Sequence, residues 1–132
     1  RLGGGLCFRA IPLLTGFDYI EAAIASYLGE SVDVSHIKSN TRCLYIGNVF
    51  AKQGVFDHVE GVDAALQQGI IEEFYCTKTK GASISPDGST GSRFGQFIAL
   101  GEDKQDLLDK GAQAHALIRA IDAAGEDISA RQ

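Results

Sequence analysis

The chain has no methionine and no tryptophan, only two prolines, and three cysteines among its 132 residues. Cys7, Cys43 and Cys76 lie far apart with no CxxC pair and in odd number, which excludes a disulfide framework or a zinc module and fits a reducing compartment. No apolar run approaches the ~18 residues that a bilayer-spanning helix needs. Basic residues are scarce: 12 Lys and Arg stand against 17 Asp and Glu, a net charge of -5. A broad basic face for nucleic acid is therefore not expected, because phosphate binding needs clustered Lys and Arg. The missing methionine and an Arg at position 1, too bulky to follow a removed initiator, lead us to expect a piece of a longer protein cut upstream of Arg1. Arg1–Gly5 is too short and too Gly-rich for a signal peptide, so a cytoplasmic location is expected.

What is present is ordinary globular composition, 45% hydrophobic and 22% charged, in a length that suits one compact domain. After the Gly-rich start, Leu6–Leu14 reads as an extended or short buried segment. A helix is expected over Gly16–Leu28, with Thr15 as N-cap, an apolar stripe of Phe17, Ile20, Ile24 and Tyr27 or Leu28, and Gly29 as its stop. Thr41–Ala51 and Val55–Glu60 read as strands joined in a hairpin at Lys52-Gln53-Gly54. A short helix over Val62–Gln68 lies between Gly61 and Gly69. Ile70–Thr77, Gly81–Ser85 and Arg93–Leu100 are further strands, with a turn cluster at Pro86–Gly91. A long helix over Asp103–Ala123 has Asp103 and Asp106 at its start and carries Leu107, Gly111, Ala114, Ile118 and Ile121 as a stripe for the sheet. The tail from Glu126 is polar and expected to fray. This order predicts an α+β fold, an antiparallel sheet with hairpins and helices packed on one face, not an alternating parallel array.

Candidate chemistry is thin. Arg1 beside Gly3-Gly4-Gly5 can present a planar fork and bare backbone N–H groups to an anion, or be no more than a loose end. The PDGSTGS loop lacks the GK[ST] ending and the following helix of a phosphate cradle. His36, His58 and His115 are scattered, without metal-ligand spacing. Glu72 and Glu73 point to opposite sides of a strand, and Asp18 with Glu21 reads as a solvated helix face. Lys78, Lys80 and Arg93 could meet across a hairpin.

Three stretches together resemble the C-terminal part of an ATP-grasp carboxylate–amine ligase, closest to the L-amino-acid ligase and carnosine-synthase-like branch. They are RLGGG…LLTGFDYIEAAIASYLGE over Arg1–Glu30, CLYIGNVFAKQGVFDHVEGVDAA, and SRFGQFIALGEDKQDLLDKGAQAHALIRAI. The resemblance implies the end of an ATP-grasp core in residues 1–30 and a lid or sheet subdomain in residues 31–132. It implies an enzyme that uses ATP and Mg²⁺ to phosphorylate a small carboxylate, which an amine then attacks. Arg1 corresponds to the Arg that holds a substrate carboxylate or the transferring phosphoryl group, and is the catalytic and substrate-binding residue. Gly3 and Gly4 correspond to the glycines whose backbone reaches the substrate. Metal-binding Glu and Asn, ATP-clamping lysines and the adenine-contacting strand belong upstream of Arg1. On this reading the chain alone is inactive, with no nucleotide or metal site of its own and no nucleic-acid or membrane partner. Gly81–Ser92 takes no implied role and is expected at the surface, as an oligomer contact such as a homodimer or as nothing. The alternative is a stand-alone α+β binding or regulatory module.

Overall fold

The computed structural model describes residues 5–38, 42–85 and 90–130. The chain enters helix α1 (Cys7–Thr15), where the sequence suggested an extended segment. Leu6 and Ala10, four residues apart, are both buried and give this short helix an inner edge. Pro12 lies inside it at the cost of one backbone bond, and the buried edge outweighs that cost. Thr15 ends α1 instead of opening the next helix: its Oγ1 donates to the Ile11 carbonyl at 2.7 Å and accepts from the Phe17 N–H at 3.1 Å. Helix α2 (Tyr19–Tyr27) is capped by Asp18, whose carboxylate accepts from the N–H groups of Ile20 and Glu21, each at 3.0 Å. It stops at Gly29 as expected, with Gly29 N–H bonded to the Ser26 carbonyl and Glu30 N–H to that of Ala25.

Seven strands follow: β1 (Cys43–Ala51), β2 (Gly54–Glu60), β3 (Glu73–Cys76), β4 (Ser83–Ile84), β5 (Arg93–Gly101), β6 (Arg119–Asp122) and β7 (Ser129–Ala130). Helix α3 (Val62–Gln67) follows β2, and α4 (Lys104–Leu117) follows β5. The strands form two antiparallel sheets, a four-stranded one in the order β3-β5-β1-β7 and a three-stranded one in the order β4-β2-β6. The expected β1–β2 hairpin is the main difference. Both strands lie where the sequence put them, but they pair in different sheets. The Lys52 N–H bonds the Ile128 carbonyl at 2.7 Å, which turns the chain out of one sheet into the other. β1 instead runs beside β5 from Cys43↔Gly101 to Asn48↔Gln96 and beyond, the two nine-residue strands offering the longest ladder.

Helix α4 starts at Asp103, whose carboxylate accepts from the Asp106 N–H at 2.9 Å. It is shorter than the stripe suggested. Ile118 turns extended (ψ 119°), and the next four residues become β6, paired with β2 from Phe56↔Asp122 to Glu60↔Arg119. Buried β-branched side chains with a ready strand partner here override the helix-favouring alanines. The tail does not fray at Ile128, which is buried, or at β7, which pairs with Phe50 and Ala51.

The core is built on Phe94, Phe97, Ile71, Ile98 and Ile118, all fully buried. Helix α4 lies on the side of the larger sheet that carries Phe97, with the His115 ring edge-on to Phe97 at 5.4 Å. Gly47 sits under that Phe97 ring: a Cβ there would fall 2.1 Å from the ring. Side chains alternate along a strand, so Gln96 faces away from α4, and α1 meets the sheet on that second side. The Phe8 ring packs edge-on to Tyr75, whose strand partner is Gln96. Among the described residues no helix is long and apolar enough to cross a membrane.

Candidate functional site

The side of the larger sheet that α1 crosses carries a group of polar side chains that bond one another. Two clusters make it up. In the first, Arg9 of α1 reaches Glu73 of β3, with Nε at 3.1 and 3.0 Å from the two carboxylate oxygens and an Nη2 contact besides. Tyr75 donates its hydroxyl to the same carboxylate at 2.5 Å. The guanidinium bonds hold the Glu73 carboxyl below the usual range against the opposing effect of burial, and the Tyr75 bond adds to them. The Tyr75 phenol is pushed up, by burial first and by Glu73 second. Every strong group here is satisfied, so this cluster fixes α1 on the sheet.

In the second cluster, Asn48 of β1 and Gln96 of β5 stand directly opposite each other. Gln96 Nε2 donates to Asn48 Oδ1 at 2.9 Å, and Arg93 Nη1 donates to the same oxygen at 3.3 Å. Gln96 is buried, while Asn48 and Arg93 are half-buried. The Arg93 Nε is buried and has no hydrogen-bond partner among the described residues.

The residues that sequence reasoning put forward distribute as follows. Arg1, Gly3 and Gly4 lie outside the described residues, as does the 86–89 stretch of the PDGSTGS loop. The residues leading into α1 resume at Gly5, which is exposed. Asp18 caps a helix and Glu21 is exposed, so that pair has no joint task. Glu72 is exposed while Glu73 is engaged with Arg9, in keeping with strand alternation. Lys78, Lys80 and Arg93 do not gather: Lys80 pairs with Asp57 at 2.7 Å and Arg93 turns to Asn48. His36 and His58 lie beside carboxylates on the surface, and His115 packs against Phe97. Among the described residues, no group of three or more His, Cys, Asp or Glu could hold a metal ion. The Asn48–Gln96–Arg93 group was missed. Its signal was a glutamine inside the apolar run of Arg93–Gly101, since a buried amide calls for partners.

Solved structures that share this architecture include a ligase and a synthetase. L-amino acid ligase from Bacillus licheniformis superposes with a TM-score of 0.77 at 16% identity, over 92% of this chain and 31% of that one. Phosphoribosylglycinamide synthetase from Anaerococcus prevotii gives a TM-score of 0.76 at 17% identity, over 92% of this chain and 32% of that one. The chain thus spans about a third of the length of these structures. No curated protein matches it. The fold is that of the C-terminal part of ATP-grasp ligases. The family model for L-amino acid ligase C-terminal domain 2 matches residues 49–121, more than half of the chain. Strands β2 to β5 with helices α3 and α4 fall wholly within that match, and this chain belongs to the L-amino acid ligase C-terminal domain 2 family.

Proposed function

We propose that this chain serves as the C-terminal part of an ATP-dependent ligase that joins a small carboxylate to an amine. The family match over residues 49–121 carries the reading. In such a reaction a carboxylate oxygen takes the terminal phosphoryl group of ATP and ADP leaves. The amine nitrogen then bonds the acyl carbon, phosphate departs with the C–O bond, and the nitrogen loses a proton. The ligase reading assigns nucleotide and metal to the rest of the enzyme, and residues 31–132 to a lid or sheet that closes one side of its site. Arg1 is the anion clamp, its planar fork matching a carboxylate or phosphoryl group, and Gly3 and Gly4 offer backbone N–H groups unobstructed by side chains. Helix α1, pinned by Arg9 to Glu73, gives the segment that precedes it a fixed point of attachment.

The test is ADP release in the ligase that carries this segment, assayed with pairs of amino acids. Arg1→Ala should lower kcat/KM by about a hundredfold or more, the range seen when one preorganised charge donor is removed. Arg1→Lys should restore only some of it. A change within about threefold would sink the assignment. Calorimetric titration of the 132-residue chain itself with Mg-ATP should show no heat of binding, and tight binding would contradict the division of labour.

A further inference from the structure

We propose that Arg93, Asn48 and Gln96 form an oxyanion-binding site on the side of the larger sheet that α1 crosses. Three observations meet here. First, Arg9, Lys80, Lys110 and Arg119 each contact a carboxylate, whereas among the described residues the Arg93 guanidinium contacts the neutral Asn48 amide and no carboxylate. A half-buried guanidinium that faces no carboxylate among the described residues, in a chain of net charge -5, is suited to an added counter-charge. Second, its Nε–H is buried and has no hydrogen-bond partner among the described residues, a donor whose desolvation is uncompensated. Third, Asn48 Oδ1 receives both Gln96 Nε2 and Arg93 Nη1, which fixes the amide so that its Nδ2 hydrogens point elsewhere. The group therefore presents donors: the rest of the Arg93 fork and the Asn48 amide nitrogen. That set matches a carboxylate or a phosphate and repels a cation.

Location supports a role in the enzyme. Gln96 stands opposite Tyr75, the residue on which Phe8 of α1 rests, so this group borders the helix that Arg1–Gly5 leads into. The assignment of the oxyanion to a substrate rests on the ligase reading; the existence of the site does not. A substrate carboxylate and the oxygens of a transferred phosphate share the required chemistry.

Arginine Nε–H resonances of the ¹⁵N-labelled chain can be followed during titration with acetate and, separately, with inorganic phosphate at constant ionic strength. The Arg93 Nε–H should shift saturably while that of Arg9, already held by Glu73, stays in place. Response to acetate identifies a carboxylate site, and response to phosphate alone identifies a phosphoryl site. Asn48→Asp supplies a tethered carboxylate, which should occupy the guanidinium and abolish the response to added anion in a folded chain. The proposal is overturned if neither anion moves the Arg93 resonance, or if the Asn48→Asp variant responds like the parent. Neither result bears on ADP release in the ligase, so the two readings fail separately.

Discussion

Arg9 and Glu73 lie 64 positions apart in the chain and hold each other through both carboxylate oxygens. The contact fastens a helix from the start of the chain to the edge strand β3, with Tyr75 as a third partner. Because the Glu73 carboxyl is held below its ordinary value, mainly by Arg9, the unfolded chain binds the more protons in acid. The stability this confers is complete above the unfolded carboxyl value, ~4.3, and is lost as pH falls through the folded one. Glu73→Gln should flatten the acid limb of urea midpoint against pH. Arg9→Ala should do likewise, and the double variant should be hardly worse than either single one. Additive losses would show that the two residues act separately.

The Phe97 ring over Gly47 is a steric contact with its own consequence. Gly47→Ala would drive a methyl into the ring at 2.1 Å. Overpacking of this kind costs about 1–3 kcal/mol. Phe97→Leu, destabilising alone, should recover some of that loss in combination, because the smaller side chain makes room. Urea denaturation of the four variants measures the coupling, and strict additivity would refute it.

His115 gives a second pH effect at higher pH. Burial pushes its imidazole down from the ordinary value, so the folded chain resists protonation where the unfolded chain accepts it. Stability should therefore fall as pH drops from about 6.5 toward the lower folded value. Urea midpoints at about pH 7.5 and about pH 5.5 should differ for the parent, and His115→Leu should shrink the difference. An unchanged difference in the variant would locate the effect elsewhere.

Two local substitutions separate cap from backbone geometry. Asp18→Ala removes the Oδ1 that accepts from two N–H groups at the start of α2 and should cost about 1 kcal/mol. Gly61→Ala should cost more than about 1 kcal/mol, because Gly61 has φ +83° and a Cβ would sit 2.0 Å from the Leu117 carbonyl oxygen. Thermal unfolding ranks the two, and a Gly61 variant milder than the Asp18 variant would contradict the geometry.

Strand positions were legible because β1, β2 and β5 carry their β-branched and aromatic residues in plain runs. The partner of β1 was not. A three-residue link between two strands reads as a hairpin, and nothing local reveals that Lys52 will bond Ile128, 76 positions later (128 minus 52). Helix boundaries slipped for the same reason: Ile118 to Ile121 continue a helical stripe in sequence, but β2 was free to pair with them. The anion-binding group was hidden because Asn48, Arg93 and Gln96 acquire meaning only when β1 and β5 lie in register. The family pattern was legible in the order of three stretches, although no one of them is specific.

The closing strand β7 ties together elements made long before it. Ser129 pairs with Ala51 in the larger sheet, while its hydroxyl accepts from the Ala120 N–H of β6 at 2.9 Å in the smaller one. Ile128 bonds both Lys52 and Ala120 through its backbone. Residues near position 129 thus add a backbone latch between two sheets that also share one apolar core, where Phe56 of the smaller stacks on Phe94 of the larger. Losing that latch would loosen the layers, where loss of an unpaired segment would leave them joined.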